Sequence, residues 1–289
     1  MKIRRNLYAI ALVFFSVTAT YFVTVSTAQQ GTLPQVVADN EYQVGGTLYM
    51  QKAAEYRALA YQAFNLARRQ LDSDFDKKNV KKLPKTDRKM PRAIVVDIDE
   101  TVLDNSPAQA YNIKNRLPFD LKQWYAWGEM RKAKSIPGAV DFLNYATSKG
   151  IKVFYISNRD EVQKQATVDN LKAVGFSDVT AENVLLRQLD ADKKPFSPKG
   201  PRRDMIMQKY RIVLLMGDNL DDVSSVFEKR TIADRFDEVD KAKTDWGKRW
   251  IVLPNAMYGT WENAIYEHNQ SKMTEAQKTE KRAAAMELP

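Results

Sequence analysis

The sequence predicts an α/β protein with a parallel sheet, on three observations. Short apolar, β-branched segments alternate with stretches of helical length, which is typical of parallel strands joined by crossover helices. Acid-rich motifs follow two of these segments, at the edge where ligands bind to such sheets. The 289 residues, 44% of them hydrophobic, are enough to bury one substantial core.

The predicted strands are short and their connections are helical. The strand segments are 93–98, 152–156, 212–216 and 250–253. The helical segments are 139–148, 161–174 and 203–210, and Gly150 and Gly175 stand where glycines commonly end helices. Before the first strand, apolar residues recur at steps of three and four over 47–71, which predicts an amphipathic helix that covers the core.

The amino terminus has the pattern of an export signal. Lys2, Arg4 and Arg5 precede an apolar segment over 7–25, and small residues after it place cleavage behind Ala28. An uncleaved membrane anchor is the competing interpretation, because the segment exceeds the ~7–15 residues of a usual signal core. We predict a signal peptide over 1–28 and a periplasmic or secreted protein, with membrane association if the segment is retained.

The rest of the chain divides into an extension, a core and a tail. Residues 29–91 form an N-terminal extension with the amphipathic helix and a basic linker, residues 92–270 form the core domain, and residues 271–289 form a charged tail. Within the core, the connection over 101–137 far exceeds the median loop of about 4–6 residues. It is rich in aromatic residues, so we expect a cap over the ligand edge of the sheet.

Residue counts exclude several chemistries. The chain has no cysteine, which excludes disulfides, a thiolate nucleophile, cysteine-ligated zinc and a lipid on an N-terminal cysteine. The chain has one histidine, His268, and this count excludes a histidine-phosphatase site, a Ser-His triad and a histidine-rich zinc site. The formal charge of +9 becomes 9 − 3 = +6 without residues 1–28. Because no aromatic residues interleave the basic linker, we expect no nucleic-acid partner.

Carboxylates stand at the predicted strand ends. Asp97 and Asp99 are two residues apart where the first strand ends, so both side chains can project to the same side. A hard divalent cation would relieve their repulsion, and Asp218 after a later strand supplies a third acid. Oxygen ligands without His or Cys favour Mg²⁺.

This set of residues suits phosphoryl transfer. One carboxylate can attack phosphorus to give an aspartyl-phosphate, while the other protonates the leaving alcohol and then activates water. Ser157 and Lys199 supply the hydroxyl and ammonium that the phosphoryl oxygens need, with Lys193 and Lys194 as alternatives for the lysine. An Asp-x-Asp pair alone is more often a turn feature, but the order of the motifs argues against that interpretation here.

Longer motifs carry a family resemblance. They are the segments 96–106 (VDIDETVLDNS) and 217–222 (GDNLDD), with shorter matches at Pro118-Phe119, Trp124, Trp127, Pro137–Val140, Val153–Arg159 and Leu253–Ala256. With these motifs the sequence resembles the class C acid phosphatases, including the outer-membrane lipoprotein e 5′-nucleotidases, of the haloacid dehalogenase superfamily. The resemblance covers roughly residues 45–265. It implies a haloacid dehalogenase-like Rossmannoid parallel sheet with flanking helices and a small, mainly helical cap.

Carried over by position, the resemblance implies roles for the motif residues. Asp97 would be the nucleophile, and Asp99 the acid/base that reaches the metal through its backbone carbonyl. Ser157 would bind phosphate and Lys199 would be the cation of the third motif. The implied Mg²⁺ ligands are Asp97, Asp99, Asp218 and Asp222.

The resemblance also implies a substrate-binding set. Trp124 or Trp127 in the cap and Tyr258 match nucleoside-binding positions of the family, and Asn158 and Arg159 are further substrate-binding candidates. Stacking on a base contributes about 1–3 kcal/mol. Ordinary packing of the cap is the alternative role for each aromatic residue.

The resulting hypothesis is an exported, Mg²⁺-dependent acid phosphatase or 5′-nucleotidase that hydrolyses phosphomonoesters, nucleoside 5′-monophosphates among them. The alternatives are a broad phosphatase without nucleotide preference and a non-catalytic surface binding protein on the same fold. The family resemblance suggests the outer membrane, although the chain has no lipobox cysteine. The oligomeric state stays open, with a homodimer as one option.

Overall fold

The computed structural model describes residues 39–289. The predicted signal peptide or anchor over 1–28 lies outside this part of the chain. None of the helices in residues 39–289 combines the length and the apolar character that crossing a membrane requires.

A six-stranded sheet forms the centre of the fold. Its strands are β1 (Arg92–Val96), β4 (Lys152–Asp160), β5 (Val184–Leu189), β6 (Pro195–Phe196), β7 (Arg211–Gly217) and β8 (Trp250–Val252). The order is β6-β5-β4-β1-β7-β8, and all neighbours are parallel except β5 and β6. The predicted strand segments correspond to β1, β4, β7 and β8, whereas β5 and β6 were not predicted.

In sequence, α-helices precede, connect and follow the strands of this sheet. Within the described residues they are Val44–Lys52, Ala54–Phe75, Lys77–Val80, Ser106–Asn115, Leu121–Glu129, Ala139–Ser148, Lys164–Ala173, Gly200–Met207, Leu220–Val223, Ile232–Lys241, Thr260–Ile265 and Glu275–Ala284. The helix predicted over 139–148 is observed with those bounds. The segment 101–137 is mainly helical, as expected for a cap, and a two-stranded antiparallel sheet of β2 (Leu103–Asp104) and β3 (Lys134–Ser135) closes its base.

The helix predicted over 47–71 is two helices. The extended backbone of Ala53 (φ −73°, ψ 126°) separates Val44–Lys52 from Ala54–Phe75. The first helix packs against the loop after β8, where a Cβ on Gly46 would lie 2.1 Å from the Ala256 carbonyl oxygen. The break therefore lets the first helix pack on the loop after β8 while the second helix covers the core. The spacing of apolar residues does not predict such a break.

The second helix of the extension covers the core with the predicted face. Its buried residues recur at steps of three and four and are Tyr56, Ala60, Ala63, Phe64, Ala67 and Leu71. The ring of Phe64 packs 6.0 Å from that of Phe142 on the helix Ala139–Ser148. Burial of this face stabilises the sheet from one side, by about 25 cal/mol per Å² of apolar surface removed from water.

Asp74 joins the end of this helix to two strands. Its carboxylate accepts a hydrogen bond from Arg92 Nε at 2.6 Å and two from Arg211, at 2.8 and 2.6 Å. Arg92 and Arg211 are the first residues of β1 and β7. Burial alone would raise the pKa of Asp74, but the hydrogen bonds and charges of Arg211 and Arg92 outweigh it and hold the pKa below its usual value.

We expect Asp74→Asn to lower the free energy of unfolding by about 1–3 kcal/mol at pH 7, because both partly buried arginines lose their counterion. The folded-state pKa lies below the unfolded value of ~3.9, so the contribution is present above that value and is lost as the pH falls through the folded pKa. Urea unfolding at successive pH values measures the difference, with Glu55→Gln on the same helix as the control. A difference that stays constant down to strong acid would contradict the ion-pair explanation.

Candidate active site

The carboxyl ends of β1, β7 and β4 bring the predicted site residues together. Asp97 follows β1 directly, is 6% exposed, and donates its backbone N–H to the Met216 carbonyl of β7 at 2.9 Å. Asp218 follows β7, and Asp222 lies in the short helix Leu220–Val223. Oxygens of Asp97, Asp218 and Asp222 lie within 4.8 Å of one another. We call these three carboxylates the acidic cluster.

Asp222 reaches the cluster because Gly217 leaves space for it. A Cβ on Gly217 would lie 2.2 Å from Asp222 Oδ2, closer than any real contact of this kind. The same oxygen accepts the backbone N–H of Asn219 at 3.0 Å. The glycine of the GDNLDD motif is therefore a steric requirement for the position of the last carboxylate.

Amides and a hydroxyl fix the Asp218 carboxylate. Its Oδ2 accepts from Asn255 Nδ2 and from Asn219 Nδ2, both at 2.8 Å. Thr101 Oγ1 lies 3.4 Å from Asp218 Oδ1 and also 3.4 Å from Asp97 Oδ2, so it stands between the two acids. The loops after β1, β7 and β8 are thus tied together at the cluster.

Lys199 is the lysine that reaches the acidic cluster. It is 7% exposed, and its Nζ contacts Asp97 Oδ1 and lies 2.5 Å from Asp222 Oδ1. The alternatives Lys193 and Lys194 are exposed at the turn between β5 and β6. Of the three lysines that the sequence left open, Lys199 is the one that contacts the acidic cluster, and its role in the third motif stays a prediction.

Lys199 alone does not balance the charge of the acidic cluster when its carboxylates are ionised. In that state, three carboxylates and one ammonium sum to −3 + 1 = −2. Burial raises the pKa of Asp97 to about 7 despite the Lys199 ammonium, and the charges of Asp222 and Asp99 add to the rise. Burial and the charges of Asp222 and Asp97 also raise the pKa of Asp218 well above its usual value. Crowded oxygen donors with this residual charge fit a divalent cation.

Asp99 lies beside the cluster and faces a different set of partners. Its Oδ1 accepts from Arg159 Nη2 at 2.8 Å, from Arg159 Nε at 2.9 Å and from Asn105 Nδ2 at 2.8 Å. Its Oδ2 accepts from Ser157 Oγ at 3.0 Å. The Asp99 side chain is therefore outside the group of carboxylates that could share a cation, as a role through its backbone carbonyl requires.

The predicted catalytic residue of β4, Ser157, and its predicted substrate-binding residues, Asn158 and Arg159, differ in burial and in partners. Ser157 is fully buried and its Oγ also accepts the backbone N–H of Arg159 at 3.1 Å. Arg159 is 2% exposed, and its guanidinium is directed at Asp99. Asn158 is exposed and accepts from Arg202 Nη2 at 2.7 Å. Arg159 thus binds the Asp99 carboxylate, while Asn158 lies at the exposed edge of the site.

The three predicted aromatic residues each contact a polar residue near Asp99. The ring of Trp124 lies 5.4 Å from the Arg159 guanidinium, and Trp127 Nε1 donates to Asn105 Oδ1 at 2.8 Å. Tyr258 donates its hydroxyl to the carboxylate of Glu100. All three rings are half-buried, so each keeps part of its surface accessible.

Sequence reasoning did not assign several residues of this site, which are Glu100, Thr101, Asn105, Arg202 and Asn255. Glu100 is fully buried at φ +58°, and burial together with the Asp99 charge raises its pKa to about 8, although hydrogen bonds from Tyr258 and Asn105 oppose the rise. Glu100, Thr101 and Asn105 could have been identified as candidates, because they lie inside the motif over 96–106. Their partners, however, come from distant segments.

A parallel α/β sheet with buried aspartates, a lysine and a serine at the carboxyl ends of its strands, under a helical cap, defines the class of aspartate-based phosphotransfer proteins. Residues 14–261 match the sequence model of the HAD superfamily, subfamily IIIB (acid phosphatase), and the chain belongs to this family. The predicted family and fold are thereby confirmed.

Solved structures and a curated protein agree with this assignment. The class C acid phosphatase from Bacillus anthracis is 38% identical, with a TM-score of 0.77 over 86% of this chain and 98% of that chain. A tungstate-bound crystal structure of the class C acid phosphatase from that organism gives 37% identity, a TM-score of 0.76 and the same coverage. Acid phosphatase 1 from Solanum lycopersicum is 30% identical over 131 residues, 45% of this chain and 51% of the tomato protein. The match thus spans about half the length of that curated relative.

Proposed function

We propose that this chain hydrolyses phosphomonoesters with Asp97 as the nucleophile and Asp99 as the general acid and base. The observation that carries the proposal is the acidic cluster with Lys199 at the carboxyl ends of β1 and β7, beside an aspartate with separate partners. Two carboxylates in different environments can take the two different roles that this reaction needs.

In the proposed reaction, an Asp97 carboxylate oxygen attacks phosphorus, the bond between phosphorus and the ester oxygen breaks, and that oxygen takes a proton from Asp99. The Asp99 carboxylate then removes a proton from water as the water oxygen attacks phosphorus. The bond from phosphorus to Asp97 breaks and inorganic phosphate leaves. Asp97 is then a free carboxylate and Asp99 again carries a proton. Lys199 and Ser157 would bind the phosphoryl oxygens.

Mg²⁺ is the cofactor that we propose for this site. Asp97, Asp218 and Asp222 would hold it with carboxylate oxygens, and the backbone carbonyl of Asp99 would be a further ligand. When bound, the cation supplies positive charge against the phosphoryl oxygens. With its three carboxylates ionised, the acidic cluster keeps a net charge of −2 beside Lys199, which supports a divalent rather than a monovalent ion.

Nucleoside 5′-monophosphates are the substrate class that we propose. Half-buried Trp124, Trp127 and Tyr258 stand near the acid/base and offer rings on which a base could stack. The tungstate-bound relative holds a tetrahedral oxyanion of phosphate-like shape, which supports a phosphate-sized group as ligand of the family fold. Export by the segment 1–28 and a periplasmic location are part of the same proposal.

The test is phosphate release from 5′-AMP and from p-nitrophenyl phosphate by the purified chain, with Mg²⁺ and after EDTA. We expect turnover of both with Mg²⁺, and a loss of roughly 100-fold or more in EDTA, because the charge that the cation supplies is worth several kcal/mol. Readdition of Mg²⁺ restores the rate. Equal kcat/KM for both esters would indicate a broad phosphatase. No turnover of either ester with Mg²⁺ would instead favour the non-catalytic binding protein.

A further inference from the structure

The cap helix reaches the acid/base through the Asn105 amide. Trp127, on the cap helix Leu121–Glu129, donates its indole N–H to Asn105 Oδ1 at 2.8 Å. Asn105 in turn donates from Nδ2 to Asp99 Oδ1 at 2.8 Å. One hydrogen-bonded path of two bonds therefore runs from the cap to the Asp99 carboxylate.

The orientation of the Asn105 amide follows from its partners. Asn105 is 2% exposed, and its Oδ1 faces two groups that can only donate, Trp127 Nε1 at 2.8 Å and Arg159 Nη2 at 3.2 Å. Its Nδ2 faces two carboxylates, Asp99 at 2.8 Å and Glu100 at 3.5 Å. An amide is the side chain of this size that presents an acceptor to one side and donors to the other.

A second contact joins the cap to the same carboxylate. Arg159 binds Asp99 through Nη2 and Nε, and the ring of Trp124 lies 5.4 Å from its guanidinium. Trp124 and Trp127 are three residues apart and so share one face of the cap helix. Both tryptophans of this face thus contact residues that hold Asp99, and this arrangement goes beyond what stacking on a substrate base requires.

We propose that Asn105 and Trp127 are positioning residues that couple the position of the cap helix to the orientation of the Asp99 carboxylate. The inference rests on the proposed function, in which Asp99 delivers a proton to the leaving group. An alkyl leaving group such as a nucleoside 5′-oxygen needs that proton, whereas nitrophenolate leaves as a stable anion. Loss of the coupling therefore lowers kcat/KM for alkyl phosphates and spares kcat/KM for activated aryl phosphates, because kcat/KM does not report the later water step that Asp99 serves for both esters.

Trp127→Phe is the variant that separates coupling from base stacking. It keeps one aromatic ring for stacking, and it removes the indole N–H that Asn105 accepts together with the second ring of the indole. We expect kcat/KM for 5′-AMP to fall about 10-fold, a part of the 10²–10⁴-fold that general acid catalysis contributes. KM for 5′-AMP should stay within about twofold, and kcat/KM for p-nitrophenyl phosphate should also stay within about twofold. The ratio of the two activities is the readout.

Asn105→Asp tests the same path from its other end. It keeps the size of the side chain but replaces the donor toward Asp99 with a second carboxylate, so the alkyl-to-aryl ratio should fall at least as far as in Trp127→Phe. Tyr111→Phe is the matched control, because Tyr111 is a cap aromatic that is 59% exposed and outside this network. Its activity ratio should equal that of the wild-type chain. Circular dichroism checks that each variant folds, and either variant alone suffices for the test.

The outcomes distinguish this inference from the proposed function. Equal losses of kcat/KM on both esters would mean that the network is merely structural, and a raised KM with unchanged kcat would mean that Trp127 is a stacking residue; either result overturns the coupling. An unaltered ratio in Asn105→Asp also overturns it. A wild-type chain that releases no phosphate from either ester would contradict the proposed function itself.

Discussion

Asp97→Asn should lower kcat/KM for 5′-AMP and for p-nitrophenyl phosphate together, by at least about 10⁴-fold, because an amide oxygen does not replace a carboxylate as nucleophile. Loss on both esters is expected because every ester needs the first bond to phosphorus. The measurement is phosphate release with Mg²⁺ at enzyme concentrations high enough to detect this residual rate. Retention of more than about a tenth of the activity would show that another group attacks phosphorus.

Asp97→Asn should keep the thermal stability of the wild-type chain although it loses activity. Asp97 is one of three crowded carboxylates, and Lys199 has a second carboxylate partner, Asp222 at 2.5 Å, which the substitution leaves in the chain. Thermal unfolding in EDTA should therefore give a Tm no lower than that of the wild-type chain. Asp104→Asn is the matched control, since Asp104 accepts the backbone N–H of Ser106 at 2.8 Å and an amide can accept the same bond. The control should keep its activity.

The proximity of Asp97 and Asp218 could be predicted, because it requires only that both residues follow strands of one parallel sheet. Asp97 and Asp218 are more than a hundred residues apart in sequence, yet β1 and β7 are parallel neighbours, with Val96 opposite Met216. Carboxyl ends of neighbouring parallel strands lie at one edge, so polar residues that follow them must converge. Periodicity and motif position were sufficient for this part of the site.

The parts that were missed depend on tertiary contacts. β5 is half-exposed at its end, where Leu189 is 62% exposed, so it lacks the continuous apolar pattern of a buried parallel strand. The break at Ala53 arises from packing of the extension on the loop after β8. Asn105 shows the same limit, because its partners Trp127 and Arg159 come from the cap and from β4 and meet it only in the folded chain.

Lys199→Met should lower kcat/KM by about 10²–10³-fold, because the ammonium is buried where the phosphoryl oxygens would lie and has no replacement among the exposed lysines. Lys194→Met is the matched control. Lys194 lies before β6 and Lys199 after it, and the Lys194 side chain is 74% exposed, 3.8 Å from the exposed carboxylate of Asp192. We expect its activity to equal that of the wild-type chain. Loss in Lys194→Met with retention in Lys199→Met would reverse the assignment of the third motif.

The same variant should make folding stability depend strongly on the cation. Without Lys199, the carboxylates of Asp97 and Asp222 lose the positive charge that both contact, so the free energy of unfolding in EDTA should fall by about 3 kcal/mol. A divalent cation that binds the folded acidic cluster and not the unfolded chain restores part of this loss by mass action. The rise in Tm on adding Mg²⁺ should therefore be larger in Lys199→Met than in Lys194→Met. An equal rise in both would mean that Lys199 and the cation do not share the charge of the cluster.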